Sequence, residues 1–256
     1  VVVPVNPMSM PDEIAYLAAD SGARVALIGA ELIGRFAALV PAPLGHVVVA
    51  SYGDEIPADT PFRLPPVIGE SALPDSLPPG FIAWPQALAE TRPPRPDICR
   101  PDDLCVMPYT SGTTGRPKAC MHTHHSVLFT AFVQARWYVY GDYTVLTGFM
   151  PMFHVAGMQL SLNGCAACGA TVVVMARWDR DLVAPLFRRY GVTLWSAAPT
   201  MVVDALAAEG FDDAAFARLK IITGGGAAMP AAVAAELKRR WNLSYVEGYG
   251  LTETMS

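Results

Sequence analysis

The run Tyr109 to Lys118, YTSGTTGRPK, gathers four hydroxyls (Thr110, Ser111, Thr113, Thr114), two glycines (Gly112, Gly115) and Lys118 into one short loop. Apolar runs flank it, Leu104 to Met107 before and Ala119 to Met121 after. Glycines let backbone N–H groups approach an anion, hydroxyls donate further hydrogen bonds and lysine adds a point charge, so the composition suits phosphate oxygens. It is not a Walker P-loop, which places four residues between its glycines and continues Gly-Lys-Ser/Thr into a helix. Only two residues separate these glycines, and Pro117 opposes a helix starting at Lys118. On composition alone, a polar hairpin turn is an equal reading.

Three further segments stand out along the chain: PMFHVAG (Pro151 to Gly157), TGGGAAMP (Thr223 to Pro230) and EGYGLTET (Glu247 to Thr254). Together with the loop at 109–118, and in this order, they resemble the signature segments of the adenylate-forming superfamily. That superfamily comprises acyl-CoA synthetases, luciferases and peptide-synthetase adenylation domains. The opening stretch, VVVPVNPMSMPDEIAYLAADSGARVAL, is similar to the family's segment after its first core strands. The similarity runs along nearly the whole chain.

The resemblance implies activation of a carboxylic acid by ATP to an acyl-adenylate, followed by transfer to a thiol, usually that of coenzyme A. Two anions meet in the first step, so charge neutralisation and alignment dominate its barrier. By the same resemblance, Glu253 binds Mg2+ through a hard oxygen, and Thr252 places a hydroxyl near the α-phosphate. Tyr249 and Gly250 lie at the adenine, with Gly225, Gly226 and Ala227 on its other side. Thr110, Ser111, Gly112, Thr113, Thr114, Gly115 and Lys118 hold the departing phosphates. His154 borders the acid's carboxylate, orienting or gating rather than moving protons; alone, it reads as a hydrogen-bonded packing residue.

The implied acyl pocket comprises Gly157, Met158, Trp195, Ala197, Ala198, Thr223 and Gly224, with no charge among them. Amino-acid-activating relatives carry an aspartate near Phe153, and Phe153 to Gly157 offers none. A buried ammonium without a partner is costly, so an uncharged acid is expected. A medium- or long-chain fatty acid is the first expectation. An aryl acid, an amino-acid-activating domain and a non-catalytic nucleotide-binding module are the alternatives.

Composition agrees with a folded enzyme portion. The chain has 256 residues, 52% of them apolar and 16% charged, which excludes disorder. A net charge of −5 gives no general attraction to nucleic acid, so any anion site is local. Val155 to Met175 carries no charge over 21 residues, long enough to span a bilayer. Its small residues, Gln159 and Asn163 instead fit a buried helix feeding a buried parallel strand, Thr171 to Val174. No transmembrane span is expected. Cys165 and Cys168 form one C-x-x-C without a second pair. With Cys99, Cys105 and Cys120 they read as buried thiols in a reducing, cytoplasmic compartment. The cluster His122, His124 and His125 reads as structural rather than metal-binding. Homodimerisation stays open.

Elements that would position the loops alternate as βα units, giving an α/β fold of mostly parallel sheets flanked by helices in layers. Residues 1–100 read as a partial first α/β subdomain: a strand-like Val1 to Val5, a helix from Pro11 stopping at Gly22, a strand 24–28, a helix 31–39 and a strand 47–50. A proline-rich connector follows over about 53–101, run over the surface with one short helix near 86–90. Residues 101–256 read as a second subdomain. Its strands fall at 104–108, 118–122, 145–150, 192–196 and 219–223. Helices are expected at 124–138, from Asp181, at 199–208, and through Val233, Leu237 and Trp241 with a Glu236–Arg240 pair. The resemblance places the whole in the family's large N-terminal domain, without the mobile C-terminal domain. Four loops at strand ends, 109–118, 151–157, 223–230 and 249–254, are expected to converge in one crevice.

Overall fold

The computed structural model describes residues 1–90, 93, 96, 98–110, 115–208 and 210–256. The chain divides into two compact units, Val5–Cys99 and Val1–Pro4 with Arg100–Ser256.

In the unit Val5–Cys99, helix α1 (Pro11–Ser21) opens on proline with Asp12 and Glu13 in its first turn. The Glu13 carboxylate accepts from the Met10 N–H at 2.7 Å, and Gly22 ends the helix at φ 70°. Strands β1 (Val25–Gly29) and β2 (His46–Ala50) pair in parallel. The helix expected over 31–39 is broken. A single α-turn, α2 (Ile33–Phe36), sits between 3-10 turns Ala30–Leu32 and Ala37–Leu39. Gly34 disfavours a regular helix by about 1 kcal/mol relative to alanine, and the tighter turns still bury Phe36 and Leu39.

The proline-rich connector is more structured than a surface run. It contains α3 (Pro66–Gly69), β3 (Phe81–Ala83) and α4 (Trp84–Ala89). Strand β3 adds to β2 in parallel, Val47 opposite Phe81, completing a sheet in the order β1-β2-β3. Ser51, buried, donates to the Ser71 carbonyl at 3.0 Å and pins the intervening loop. The core joins Ile14, Ile28, Phe36, Leu44, Val47, Val49 and Phe81.

The other unit begins with Val1–Pro4, where the strand-like run is reduced to a bridge between Val2 and Val106. Strands β4 (Leu104–Val106) and β5 (His122–Thr123) form an antiparallel hairpin, shorter than the expected 104–108 and 118–122. Its stem continues through the Tyr109–Ala119 bridge and a Thr110 N–H bond to the Lys118 carbonyl at 3.0 Å. Helix α5 (His124–Trp137) is capped by Thr123, whose hydroxyl accepts from the Ser126 N–H at 3.2 Å.

Beyond α5 lie β6 (Val145–Gly148), a π-helical stretch Gly157–Asn163 leading into α6 (Gly164–Cys168), and β7 (Thr171–Val174). There follow α7 (Arg180–Tyr190), β8 (Leu194–Ser196), α8 (Pro199–Leu206), α9 (Asp213–Phe216), β9 (Ile221–Gly225), α10 (Ala231–Trp241) and β10 (Tyr245–Gly248). Five strands make one parallel sheet in the order β10-β9-β8-β6-β7. Strand β7 was expected to be buried, but it ends the sheet and leaves Val174 57% exposed.

Residue alternation along each strand divides the core of this sheet. Leu194 faces Leu146 and Cys165 of α6. Trp195 points the other way, onto Phe187 of α7 at a ring separation of 5.2 Å, and onto Phe211. Asp179 caps α7 by accepting from the Asp181 N–H at 3.0 Å; Val183, Leu186 and Phe187 are buried, while Tyr190 is exposed. On α10 the Glu236 carboxylate binds Arg239 at 2.7 Å more closely than the expected partner Arg240 at 3.8 Å. Among the described residues no helix is long and apolar enough to cross a membrane. None of the five cysteines forms a disulfide, and only Cys165 is buried, Cys99 being exposed.

Candidate active site

The carboxyl ends of parallel strands are where open α/β sheets bind ligands, because the following loops splay apart there. A cavity of about 760 Å³ opens at the ends of β6, β8, β9 and β10. Its wall includes Met150, Pro151 and Phe153 to Ala156 after β6, Ser196 and Ala198 to Thr200 around the end of β8, and Thr223 to Ala227 at β9. Gly248, Tyr249, Gly250 and Ser256 follow β10, and Val133, Gln134, Trp137 and Tyr138 come from α5 and its end. No Asp, Glu, Lys or Arg is among the described lining residues.

Of the residues singled out in the sequence, His154, Ala198, Thr223, Gly224, Gly225, Gly226, Ala227, Tyr249 and Gly250 meet around this cavity. Tyr249 is 89% exposed and offers a flat face at the rim. Thr223 is buried, with Oγ1 3.0 Å from Tyr138 Oη, and it donates to the Val246 carbonyl at 2.9 Å. The glycines have packing duties as well. A Cβ on Gly224 would strike the Ala197 carbonyl, and one on Gly225 the Gly248 carbonyl, so both permit close approach of neighbouring strands.

His154 Nδ1 accepts from the Ala156 N–H at 3.2 Å. In the neutral ring the proton is therefore on Nε2, which is left as a donor at the cavity wall. Glu247 steadies the facing loop by accepting from the Met229 N–H at 2.8 Å. Tyr245 closes the sheet beneath it, its hydroxyl donating to the Ala197 carbonyl at 2.9 Å. Burial, with Glu247 and Tyr138 nearby, pushes the Tyr245 phenol up to about 12.

Four expected pocket residues lie elsewhere. Trp195 is fully buried on the opposite side of the sheet, because it alternates with Ser196, which does line the cavity. Met158 packs with Val106, Val127, Val155 and Met255. Gly157 begins the π-helical stretch, where a Cβ would strike the Pro151 carbonyl, and Ala197 is buried beside Gly224.

A second cluster forms around the hairpin stem. His122, buried, has Nε2 2.8 Å from the Thr252 carbonyl oxygen, at the start of the turn Thr252–Thr254. Burial first, and the Glu253 carboxylate second, raise the Cys120 thiol pKa. Glu253 itself is exposed, as are Gly115 and Lys118; the Lys118 N–H donates to Thr110 Oγ1 at 3.3 Å. Ser111, Gly112, Thr113 and Thr114 lie outside the described residues. Below the turn, Met255 is fully buried, and Ser256 reaches the cavity wall.

Among the described residues no three His, Cys, Asp or Glu side chains group to hold a metal. A lone exposed carboxylate such as Glu253 fits a magnesium ion carried largely by phosphate oxygens and water, since Mg2+ is held by one or two carboxylates in such sites. Gln134, Trp137, Tyr138 and Ser196 are the site residues that motif reading passed over. The i, i+3, i+4 spacing of the first three, on α5 and at its C-cap, puts them on one side of the helix.

The sequence model of the family described as AMP-binding enzyme matches residues 1–256. The chain belongs to that family. It is 30% identical to the benzoate–CoA ligase of Thauera aromatica, over 100% of this chain and 44% of that protein. A long-chain-fatty-acid–CoA ligase of Mycobacterium tuberculosis is 29% identical, over 99% of this chain and 45% of its own length. The chain thus spans less than half the length of these relatives. Among solved structures, an inhibitor-bound N-terminal domain of FACL13 from Mycobacterium tuberculosis superposes with a TM-score of 0.75 at 25% identity, covering 99% of this chain and 57% of that one. The fold shared with this AMP-binding enzyme family is α/β, with parallel sheets flanked by helices.

Proposed function

We propose that this chain forms the nucleotide- and acid-binding part of an AMP-forming acid–CoA ligase. In that reaction a carboxylate oxygen attacks the α-phosphorus of ATP, pyrophosphate leaves and an acyl-adenylate forms. The thiol of coenzyme A then displaces AMP. The observation that carries the proposal is the convergence of four strand-end segments, far apart in sequence, on one uncharged cavity.

The roles are those the family motifs imply, and placement around the cavity supports those of Tyr249, Gly225, Gly226, Ala227 and His154. Tyr249 supplies its exposed face to adenine, with Gly225, Gly226 and Ala227 opposite. Thr252 presents its hydroxyl to the α-phosphate. Thr110, Gly115 and Lys118 hold the departing phosphates beside that turn, and the family motif assigns Ser111, Gly112, Thr113 and Thr114, which lie outside the described residues, to the same task. Glu253 would hold Mg2+, which when bound offsets phosphate charge. His154 donates from Nε2 to the acid's carboxylate and so orients it.

The acid is compact. The routes that would have given depth, past Trp195, Met158 and Gly157, are filled by packed side chains and backbone. Trp137, Tyr138 and Phe153 provide aromatic walls instead, which suits an aryl acid such as the one named in the Thauera relative. A medium- or long-chain fatty acid is the second reading. It is favoured by an apolar groove that shares Val133 and Trp137 with the cavity and continues along α5 past Phe129 and Phe132. An amino acid is disfavoured, since among the described residues no lining carboxylate could pair its ammonium group.

Titration calorimetry of this chain with ATP, Mg2+ and benzoate or octanoate tests the proposal. Nucleotide binding that strengthens with benzoate supports it. Binding of neither nucleotide nor acid removes it, and stronger coupling to octanoate selects the second reading.

A further inference from the structure

We infer that Tyr138 is a positioning residue for this cavity: its hydroxyl latches the strained C-terminal turn of α5 to Thr223 on β9, and the latched turn sets the size of acid admitted. The inference rests on the reading of the cavity as acid-binding.

The sheet is the anchor. Thr223 is fully buried on β9, opposite Ser196 of β8 and Val246 of β10. Its one hydroxyl proton goes to the Val246 carbonyl at 2.9 Å, and a carbonyl only accepts, so Tyr138 Oη is the donor across its 3.0 Å contact with Thr223 Oγ1. Tyr138 thereby reaches the ends of β9 and β10, its Oη 3.7 Å from where a Cβ on Gly248 would stand.

The part held is the end of α5. It closes as a Schellman turn, the Tyr140 N–H donating to the Ala135 carbonyl at 2.7 Å and the Val139 N–H to the Arg136 carbonyl at 3.4 Å. Val139 takes φ 56°, the left-handed position that glycine usually fills in this motif and where a β-branched residue is an outlier. Such strain persists where the surroundings fix the backbone. Tyr138 and Tyr140 pack against the core that holds Leu146, Cys165 and Leu194, while Trp137, Val139 and Tyr143 are exposed. Three hydroxyls complete the hold. Tyr143 donates to the Val139 carbonyl at 2.9 Å, Tyr140 to the Leu160 carbonyl at 3.2 Å, and Tyr138 to Thr223. Of the three, the Tyr138 bond alone ties the turn to the end of β9.

Trp137 and Tyr138, with Val133 and Gln134, are the share of α5 in the cavity wall. Most of the remaining wall follows strands of the sheet. A shift of the helix end against the sheet therefore changes the width left for the acid's ring, and a bond that prevents the shift decides which ring fits. A second fused ring needs this wall to move.

Titration calorimetry of this chain, with AMP present, against benzoate and the larger 2-naphthoate tests the inference. The parent should bind benzoate about tenfold more tightly, the cost of overfilling a packed site. In Tyr138→Phe, which keeps the ring, that ratio should fall about fivefold, the worth of one hydrogen bond. Thr223→Val should have the same effect and the double variant no more, because each removes the same bond. Tyr143→Phe takes a hydroxyl from the same turn without touching β9, and should keep the parent's ratio. Melting curves confirm that each variant is folded at the titration temperature, and Val139→Gly should melt no lower than the parent. Equal affinities in the parent, an unchanged ratio in Tyr138→Phe, a Thr223→Val effect that is absent or additive, or an equal fall in Tyr143→Phe would overturn the latch alone. Lower melting of Val139→Gly would overturn the strained turn it holds. Failure of both acids to bind would remove the acid-binding cavity and the latch together.

Discussion

His122 Nε2 lies 2.8 Å from the carbonyl oxygen of Thr252, a contact between residues 130 apart in sequence. Through it the stem of the threonine-rich hairpin is tied to the turn that carries Thr252 and Glu253. Cys120 on the same stem senses the Glu253 carboxylate. Met255 anchors the turn from below, packed with Val106 of the hairpin and Val127 of α5. The hairpin stem and the Glu253 carboxylate are thus neighbours, in a turn whose following residue Ser256 reaches the strand-end cavity.

Replacing Glu253 by glutamine should separate nucleotide binding from its metal dependence. The side chain is exposed, so melting behaviour should change little. ATP affinity measured with and without Mg2+ should lose most of its metal-dependent gain. An unchanged magnesium effect would take the metal from Glu253.

Trp195→Ala should act on stability and leave acid preference alone. The indole is fully buried against Phe187 and Phe211, so truncation should cost about 3–5 kcal/mol by denaturant titration. Relative affinities for benzoate and octanoate should stay as in the parent. A change in their order would return Trp195 to the pocket.

The contrast between Trp195 and Ser196 shows where sequence reading succeeds and stops. The loops at 151–157 and 223–230 were legible because they follow apolar strand-like runs and resemble the family's signature segments. The parity of a three-residue strand does not say which face holds a ligand. Leu194, Trp195 and Ser196 could have been assigned either way, and the more conspicuous side chain took the cavity role. Strand β3 escaped notice since Phe81 to Ala83 is too short for a period and sits between Pro79-Gly80 and Trp84-Pro85. Gln134 and Tyr138 were hidden differently. Helix α5 exposes Leu128, Phe129, Phe132 and Trp137, so its apolar pattern does not single out one face. The parallel sheet itself followed readily from the βα alternation, although boundaries such as Val145–Gly148 came out shorter than the apolar runs.

Asp212 gives a pH signature. The hydrogen bond from Arg188, then the Ala215 N–H, hold its carboxyl below the usual 3.8. A lowered pKa in the folded state stabilises fully above the unfolded value and loses that effect as pH falls through the folded value. The melting-temperature gap between the parent and Asp212→Asn should therefore be present at pH 6 and shrink below pH 3.8. A gap that widens on acidification would reverse the sign of the coupling.

Thiol reactivity should rank by burial. Burial, with Cys168 adjacent, pushes the Cys165 thiol up to about 11, while Cys99 is exposed. At pH 8 a disulfide reagent should modify Cys99 rapidly and Cys165 only after unfolding, read by peptide mass mapping. Equal rates at the two positions would mean that the α6 packing opens readily.

The central claim is that distant strand-end segments surround one nucleotide, and amide hydrogen exchange with and without AMP measures it directly. Saturating AMP should slow exchange together in 151–156, 223–230 and 248–256 and in the hairpin stem around 108–120. Protection confined to one of these segments, or appearing only elsewhere in the chain, would contradict the account.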